Sequence, residues 1–403
     1  MKKQVLIAGG GIAGMAAALG ASHAGWDARL FERAAEFSEV GAGVQLGPNV
    51  VRRLQAWGLQ RPLLQVVAVP QQLVARSAVN GQVLACAPLG QSMVERYGAA
   101  YVTIHRADLH GVLYEAVQER ADTFINQGQE VVEVLGTERV TTVRLSNNKE
   151  VEGDALMLAD GVWSKLRGPL LGDLSRPRVS GHLAYRALLP MSDVPAGWRS
   201  NEVTVWLGPH MHAVHYPVRR GEMMNIVVII EGPAPQDLEQ WDHAGNAQVL
   251  EQALKNCSSN LQDLIRSVPA AGAQWRLWPL SDRAPIQGPE AMVKGLVGLI
   301  GDAAHPMRPY LAQGAGMAIE DAAELQRALA MDDLDIELRL SRYALNRWAR
   351  NARVQARSIR NGKIFHATGP VRWGRDLAMR TLGAKLMDVP WLYSGEGSSA
   401  SIL

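Results

Sequence analysis

The sequence predicts an α/β protein, and three observations lead to this prediction. A glycine motif of the form G-x-G-x-x-G follows a short apolar segment near the N-terminus, and two later apolar segments run directly into Asp160 and Asp302. Two stretches between these motifs alternate apolar and polar residues, as the strands of a half-exposed sheet do. We therefore expect a Rossmann-like nucleotide-binding domain, an interleaved domain with a mixed β-sheet, and C-terminal helices.

The first expected element is a strand over residues 5–8, which leads through a tight turn into a helix over residues 15–24. Gly9, Gly11 and Gly14 occupy the three glycine positions of a dinucleotide fingerprint. Gly9 would make the turn, Gly11 would let the backbone approach a pyrophosphate, and Gly14 would let the helix pack on the strand. Ala13 belongs to the same expected site, where helix N–H groups would face the anion.

A second strand over residues 28–31 ends at Glu32, which is followed by Arg33. Glu32 stands at the fingerprint distance for a carboxylate that accepts hydrogen bonds from ribose hydroxyls, and its charge argues against a 2′-phosphate. The alternative is a glycine-rich turn that binds no ligand. The combination of the glycines with Glu32 favours a nucleotide site that includes both Glu32 and Arg33.

Carboxylates end two further apolar segments. Residues 150–159 lead into Asp160, and residues 295–300 lead through Gly301 into Asp302. Both carboxylates would lie just past a strand, where open α/β sheets bind ligands. The three motifs, in this order, resemble the single-component FAD-dependent aromatic hydroxylases of the para-hydroxybenzoate hydroxylase type. The resemblance covers most of the chain and is weakest in the middle and at the C-terminus.

The resemblance implies non-covalently bound FAD, with NADH or NADPH as a transient co-substrate. In the family the glycine motif holds the ADP half of FAD, the Asp302 position contacts the ribityl chain or the pyrophosphate, and the Asp160 segment is associated with both FAD and NAD(P)H. A glycine-rich segment over residues 39–49 would cover the flavin, and a helix from about Gly314 would point its N-terminus at the pyrimidine edge. The cofactor residues implied in this way, beyond the fingerprint, are Gly43, Arg106, Asp160, Asp302, Pro309, Gly314 and Ala315.

The same resemblance implies hydroxylation of a small hydroxylated aromatic acid, or a pyridine analogue, by a flavin C4a-hydroperoxide formed from O2. Such chemistry needs a base for the phenol, on the sheet that roofs the flavin. By strand alternation His212 and Tyr216 share a face, whereas His215 points the other way. Within the family the chain resembles members of the salicylate hydroxylase, 3-hydroxybenzoate 6-hydroxylase and 6-hydroxynicotinate 3-monooxygenase types. In members of the last two types a His and a Tyr at this spacing face the substrate, which implies that His212 and Tyr216 are catalytic.

Three further residues are candidates for substrate binding: Tyr185, Arg186 and Gln45. Arg186 would either pair with a substrate carboxylate or brace the sheet. Gln45 stands where one branch of the family has a histidine, and Pro309 stands where another has a glutamine.

The motifs divide the chain into a discontinuous FAD-binding domain (1–73, 97–176 and 281–330), a substrate-binding domain (74–96 and 177–280) and a C-terminal helical region (331–403). Residues 74–96 and three segments, 203–207, 213–216 and 225–230, are expected to be strands, and residues 246–265 a helix. Four arginines of the last region, Arg350, Arg353, Arg357 and Arg360, fall on one helix face and are interpreted as a solvated basic stripe, with an oligomer contact as the alternative.

The bulk composition excludes several classes of protein. The 403 residues carry 41 Lys plus Arg against 39 Asp plus Glu, a net charge of +2, which gives no reason to expect a nucleic-acid partner. No segment is apolar enough for a membrane span, and we expect a cytoplasmic monomer or homodimer. Cys86 and Cys257 are far apart, and no carboxylate or cysteine completes a metal site with the histidines, so no metal is expected. Two alternatives stay open: a FAD-dependent oxidase or dehydrogenase without oxygen insertion, and a FAD-bound binding or regulatory protein without turnover.

Overall fold

The computed structural model describes residues 2–37, 42–136, 140–238 and 243–395. Strands β1 to β19 of these residues are, in chain order, Gln4–Ala8, Asp27–Glu32, Gly43–Leu46, Gln72–Ser77, Val83–Pro88, Val102–His105, Thr123–Gln127, Val131–Gly136, Thr141–Leu145, Glu150–Gly153, Ala155–Leu158, Arg178–Pro190, Glu202–Gly208, Met211–Val218, Met223–Glu231, His243–Ala244, Arg276–Asp282, Val293–Lys294 and Val297–Leu299. Helices α1 to α13 are Ile12–His23, Pro48–Ala56, Gln60–Leu64, Gly90–Tyr97, Arg106–Gln118, Arg167–Leu171, Ala247–Ala253, Ser259–Ala270, Gly314–Leu329, Ile336–Phe365, Gly369–Leu382, Ala384–Met387 and Pro390–Tyr393.

The first of the two large sheets has six strands in the order β18-β19-β11-β1-β2-β7. All neighbouring pairs are parallel except the edge pair of β18 with β19. Helices cover it, so its central strands are buried on both faces, and β1 accordingly reads as a continuous apolar run. The carboxyl ends of β1, β11 and β19 meet at one edge, which brings the Gly9 turn, Asp160 and Asp302 together.

The second large sheet has eight strands in the order β16-β17-β12-β15-β14-β13-β4-β5. Only β13 and β4 pair in parallel, so the sheet is mixed, as expected. One face packs on α7 and α8 in a core that contains Tyr185, Ala213 and Leu264. The residues of the opposite face, including Ala184 and Ile229, pack on Tyr310. The predicted fold class is therefore confirmed.

Several expected elements differ from the observed ones in extent. The three segments expected as strands are β13, β14 and β15, each longer than its apolar centre. Residues 90–96, expected to continue a strand, belong instead to α4, because Gly90 at φ +43° turns the chain out of β5. The helix expected over residues 246–265 is two helices, since Asn246 caps α7 and the chain turns before Ser258, the N-cap of α8. Residues 39–41 of the expected flavin cover lie outside the described residues; the following Gly43 begins β3.

The C-terminal arginines are not a solvated stripe along their whole length. In α10, the side chain of Arg350 is only 9% exposed and pairs with Glu320 of α9 at 2.6 Å. Arg353 is exposed, and its guanidinium lies 4.0 Å from the ring centroid of Trp391. The sequence interpretation was wrong at Arg350 because helical periodicity identifies a face but not what packs on it. Within the described ranges, no helix is both long and apolar enough to cross a membrane.

Candidate active site

The glycine turn has the geometry that close approach of a phosphate group requires. Gly9 has φ +109°, and a Cβ there would overlap the carbonyl of Ala159 at the end of β11. A Cβ at Gly14 would overlap the carbonyl oxygen of Gly9, so only glycine lets α1 start this close to β1. At Gly11, by contrast, a Cβ would meet nothing within 4 Å. The open space therefore lies in front of Gly11 and Ala13, at the N-terminus of α1.

Glu32 fixes the opposite wall of this turn. Its two carboxylate oxygens accept hydrogen bonds from the N–H groups of Gly10 at 2.7 Å and Ala34 at 2.8 Å. His110 of α5 lies with Nε2 2.7 Å from the carbonyl oxygen of Gly10. Arg33 is exposed beside Glu32. A carboxylate has about four lone-pair sites, so Glu32 retains capacity for ribose hydroxyls.

Asp302 and Arg106 are opposite charges with free hydrogen-bonding capacity at the same edge. Burial raises the pKa of Asp302, while His305 and Arg106 oppose that rise. Burial lowers the pKa of Arg106, and Asp302 opposes that lowering. Among the residues that the structure describes, no protein group forms a hydrogen bond with the Asp302 carboxylate. Both groups are therefore available to a polar ligand, and together with the open Gly11 turn they fit the ribityl and pyrophosphate parts of FAD.

Asp160 lies at the same edge, just past the end of β11. Its Oδ1 is buried without a hydrogen-bond partner, and burial raises the pKa of Asp160 to about 6, although hydrogen bonds from Ser164 and the backbone oppose the rise. A buried acceptor with spare capacity is unusual in a native protein and points to a ligand or water as its partner.

The helix α9 presents its N-terminus to the same region. Gly314 and Ala315 are its first two residues, and Pro309 opens the preceding 3₁₀ turn. The helix is held by buried ion pairs: Arg347 of α10 lies 3.0 Å from Glu320 and 2.8 Å from Asp321. The N–H groups of the first turn have no partner within the helix and favour negative charge.

The eight-stranded sheet, called the roof sheet here, brings Arg186, His212 and Tyr216 to one face. In register, Arg186 of β12 pairs with Val227 of β15, which pairs with Val214 of β14, so Arg186 lies level with the midpoint between His212 and Tyr216. Burial lowers the pKa of Arg186 to about 9, and Tyr216 opposes that change. Burial raises the pKa of Tyr216 above its usual range, against the effects of Arg186 and a hydrogen bond with Gln45.

Gln45 and Gly43 connect this face to the nucleotide sheet. The hydroxyl of Tyr101 donates to Oε1 of Gln45 at 2.6 Å. The N–H of Gly43 donates to Oδ1 of Asn225 at 2.7 Å, and a Cβ at Gly43 would crowd the ring of Tyr216. The strand β3 thus presses directly against the Tyr216 end of the roof.

Tyr185 and His215 lie on the other face of the roof sheet. Tyr185 packs near Trp275 with ring centroids 6.5 Å apart, and His215 packs between Trp198 and Trp206. Burial lowers the pKa of His215 to about 3. The structure therefore does not bring Tyr185 to the group formed by Arg186, Gln45 and Tyr216, because successive strand residues point to opposite faces.

His212 is buried, and its surroundings come from the C-terminal half of the chain. Its Nδ1 lies 2.8 Å from Nε2 of His366, and its ring packs on Tyr310 and Phe365 with centroids 5.0 and 5.3 Å apart. Burial holds the pKa of His212 well below its usual value, and His366 and His182 lower it further. His212 is therefore a neutral imidazole at neutral pH. Within the described residues its Nε2 has no hydrogen-bond partner.

His366 and Glu231 were missed by the sequence analysis. His366 ends α10 without any motif around it, and Glu231 ends β15, so only the folded chain reveals that they meet. Glu231 is the carboxylate that sequence reasoning did not find beside the histidines: with His182 and His366 it offers potential ligand atoms within 4.8 Å of one another. The rings of His182 and His366, however, stack at 4.7 Å with an interplanar angle of 9°, and Nδ1 of His182 is hydrogen-bonded to the Tyr310 hydroxyl. A hydrogen-bonded network describes this cluster better than a metal site.

Comparisons with known proteins show which family the chain matches and which proteins it is similar to. The family model described as "FAD binding domain" matches residues 2–358. The 3-hydroxybenzoate 6-hydroxylase of Polaromonas naphthalenivorans (strain CJ2) is 36% identical over 392 residues, which span 96% of this chain and 95% of that protein. The 6-hydroxynicotinate 3-monooxygenase of Pseudomonas fluorescens is 33% identical over 357 residues, spanning 87% and 89%. Among solved structures, Klebsiella pneumoniae HpxO complexed with FAD and uric acid superposes with a TM-score of 0.83 at 21% identity, covering 96% of this chain and 94% of that one.

Proposed function

Since the chain belongs to the family of FAD-dependent aromatic hydroxylases, we propose that it hydroxylates a small aromatic acid bearing a ring hydroxyl, or a pyridine analogue of such an acid. NADH or NADPH is the electron donor, and O2 is the source of the inserted oxygen atom. FAD, when bound, carries the electrons from the nicotinamide and activates the oxygen. The remaining roles belong to side chains of this chain.

The observation that carries the substrate assignment is the Arg186 guanidinium of the roof sheet, which lacks an anionic partner among the described residues. No carboxylate among the described residues pairs with Arg186, its Nε is buried without a partner, and its guanidinium stacks on Trp278 at 3.7 Å. An unpaired buried charge is costly, so the site favours a ligand that supplies the missing anion. A substrate carboxylate meets this requirement in the bidentate geometry that guanidinium groups prefer.

The other substrate contacts follow from the position of Arg186. With the carboxylate at Arg186, the ring of the substrate extends along the roof between His212 and Tyr216, which lie on β14 two residues to either side of the Arg186 level. Neutral His212 accepts the proton of the ring hydroxyl at Nε2, and the resulting phenolate is a stronger carbon nucleophile. Tyr216, oriented by Gln45, positions the ring. The apolar surroundings of these groups exclude water from the reacting centre.

The cofactor contacts are proposed at the edge of the six-stranded sheet. The ADP half of FAD lies against the glycine turn and Glu32, the ribityl chain against Asp302 and Arg106, and the flavin under the roof at the N-terminus of α9. In this assignment the cofactor residues are Gly9, Gly11, Ala13, Gly14, Glu32, Arg33, Gly43, Arg106, Asp160, Asp302, Pro309, Gly314 and Ala315. We also propose the division into an FAD-binding unit around the first sheet and a substrate-binding unit around the second.

Labelled oxygen tests the reaction class. The holoenzyme is supplied with NADH or NADPH, 18O2 and, in separate reactions, 3-hydroxybenzoate, 3-amino-4-hydroxybenzoate and 6-hydroxynicotinate, and the products are examined by mass spectrometry. The proposal expects one 18O atom in an aromatic product. Consumption of the nicotinamide with H2O2 as the sole oxygen product would favour an oxidase, and absence of turnover with any of the three would favour a binding protein.

The Arg186→Gln variant tests the substrate class. Loss of a charge-assisted hydrogen bond costs about 1.5–3 kcal/mol, so we expect KM for the carboxylated substrate to rise roughly 10- to 100-fold. The matched control is the corresponding phenol without a carboxylate, for which Arg186→Gln and wild type are expected to bind alike. Equal weakening for both compounds would mean that Arg186 braces the sheet.

A further inference from the structure

A continuous line of hydrogen-bonded titratable groups leads from the buried roof to the protein surface. Nδ1 of His212 lies 2.8 Å from Nε2 of His366, Nδ1 of His366 lies 3.1 Å from Oε1 of Glu231, and Oε2 of Glu231 lies 2.7 Å from Nδ1 of His210. Exposure increases along the line. His212 and His366 are 4% and 5% exposed, whereas the side chains of Glu231 and His210 are 39% and 67% exposed.

We propose that these four residues form a proton relay in which His366 and Glu231 carry the phenolic proton from His212 to solvent at His210. The inference rests on the proposed role of His212 as the base. His366 and Glu231 act through His212 and do not touch the substrate, so they are positioning residues of the reaction.

A lone imidazole at the His212 position could not hold the proton that it accepts. Burial disfavours its charged form, and among the described residues the side chain hydrogen-bonded to it is another imidazole, not a carboxylate. Passing the proton outward puts the charge next to Glu231, whose pKa is lowered by hydrogen bonds to His210 and His366 against the effect of burial. The relay thus separates the place where the proton is taken from the place where its charge is stabilised.

The relay is held in register by contacts from several elements. His210 occupies the turn between β13 and β14 at φ +56°, its N–H donates to the carbonyl of His366 at 3.1 Å, and its own carbonyl accepts from the N–H of Glu231 at 3.1 Å. The ring of His182 stacks on His366 from β12. Besides the relay, the charged or titratable groups that face this cluster are His182, Tyr310, Arg308 and Asp282.

The proton transfers balance over one catalytic cycle. In the resting state Nδ1 of both His212 and His366 carries the proton, and both Nε2 atoms accept. The ring hydroxyl gives its proton to Nε2 of His212, the Nδ1 proton of His212 moves to Nε2 of His366, and the Nδ1 proton of His366 moves to Glu231. Glu231 is partly exposed and releases the proton to water beside His210, whose Nδ1–H donates to the other carboxylate oxygen. The same oxygen is a hydroxyl again in the product, so one proton returns inward and restores both tautomers.

Charge-neutral variants of the two positioning residues test the relay. His366→Gln and Glu231→Gln retain hydrogen bonding but do not transfer a proton, and His243→Gln, at a half-buried histidine of the same sheet, is the matched control. The probes are 3-hydroxybenzoate and 2-fluoro-3-hydroxybenzoate, whose phenol is more acidic. Stopped-flow measurements follow flavin reduction and product formation between pH 6.5 and 9.5, and ultraviolet difference spectra report the phenolate fraction of the bound probe.

The relay predicts that His366→Gln and Glu231→Gln reduce flavin within about twofold of wild type but form product roughly 10- to 100-fold more slowly at pH 7. The deficit shrinks as the pH rises and is smaller for the fluorinated probe, because a substrate that arrives as phenolate needs no relay. An equal deficit at every pH and for both probes indicates a purely structural role and overturns the relay. The relay is also overturned if metal analysis finds one zinc ion per wild-type chain and none in His366→Gln.

Failure of the proposed base is distinguishable from failure of the relay. Wild-type hydroxylation by His212→Ala contradicts the base, whereas a defective His212→Ala beside unaffected His366→Gln and Glu231→Gln overturns the relay alone. Histidine-selective 15N NMR of the holoenzyme needs no substrate: it is expected to show protonated Nδ1 and unprotonated Nε2 on His212 and His366. An Nε2–H tautomer on His212 overturns the relay even if no probe is oxygenated.

Discussion

The glycines of the N-terminal turn differ in whether the protein itself has room for a side chain at their position. Gly14 is confined by the protein itself, because a Cβ there would overlap the carbonyl oxygen of Gly9. Gly11 is confined by nothing in the chain, since a Cβ there would have no neighbour within 4 Å. Folding therefore requires a glycine at position 14, whereas a glycine at position 11 is required only by a ligand that fills the space in front of it.

This distinction predicts different defects for two alanine variants. Gly14→Ala is expected to destabilise the apoprotein by about 1–3 kcal/mol, as overpacking does. Gly11→Ala should leave apoprotein stability within about 0.5 kcal/mol of wild type and weaken FAD binding at least tenfold, because its methyl occupies the space of the pyrophosphate. Denaturant unfolding of the apoprotein and fluorescence titration with FAD measure the two effects.

The control is Gly111→Ala, within α5, where a Cβ also meets nothing. It is expected to stabilise the chain by about 0.5–1 kcal/mol through helix propensity and to bind FAD normally. Unchanged FAD affinity in Gly11→Ala would place the pyrophosphate elsewhere.

The residues whose positions the sequence predicted best are those that follow from local spacing. The fingerprint glycines and Glu32 lie within one β-α-β unit, so a short motif contains most of the information about where they meet, and the Gly10 N–H donates to Glu32. The face shared by His212 and Tyr216 follows from strand alternation, which also gives His215 the opposite face. His366 could not be found in this way, because 154 residues separate it from His212 and no local pattern marks it.

At the scale of elements, the contact between α9 and α10 determines how the expected flavin-facing helix is held. Burial raises the pKa of Glu320, but Arg347 and Arg350 together lower it to about 2, so both sides of the cluster are charged at neutral pH. Asn49 of α2 donates to the same carboxylate at 2.7 Å. Sequence periodicity predicted a basic helix face. It could not predict that Glu320 and Asp321 of α9 pack against that face, because the packing of α9 does not follow from its sequence.

Removal of one arginine of this cluster should be strongly destabilising. Arg347→Met leaves Glu320 and Asp321 partly unpaired in a buried site, for which we expect a loss of about 3–5 kcal/mol in the free energy of unfolding. Arg353→Ala removes an exposed guanidinium that stacks on Trp391 and should cost about 0.5–1 kcal/mol. Thermal and denaturant unfolding compare the two variants. A cost for Arg347→Met no larger than for Arg353→Ala would mean that the ion cluster does not hold α9.

The whole molecule sets two sheets against each other, and the proposed reaction occurs where they meet. The six-stranded sheet supplies the turn, Asp302 and the N-terminus of α9, and the roof supplies Arg186, Tyr216 and His212. The fold class followed from the order of motifs along the chain, because each motif ends a strand of the first sheet. The order of motifs could not predict that Tyr310, Phe365 and His366 close the site around His212. Their positions depend on where the 30-residue helix α10 ends in space.

The central claim is that His212 accepts the phenolic proton of the substrate in the hydroxylation step, which follows FAD binding and FAD reduction. The most direct test is a stopped-flow comparison of wild type with His212→Ala, using His215→Gln on the opposite face as the control. The account predicts that His212→Ala binds FAD and reduces it at nearly the wild-type rate, while hydroxylation falls by about 10²–10⁴ and H2O2 per NAD(P)H consumed rises accordingly. Wild-type coupling and hydroxylation in His212→Ala, or the same loss of coupling in folded His215→Gln, would contradict it.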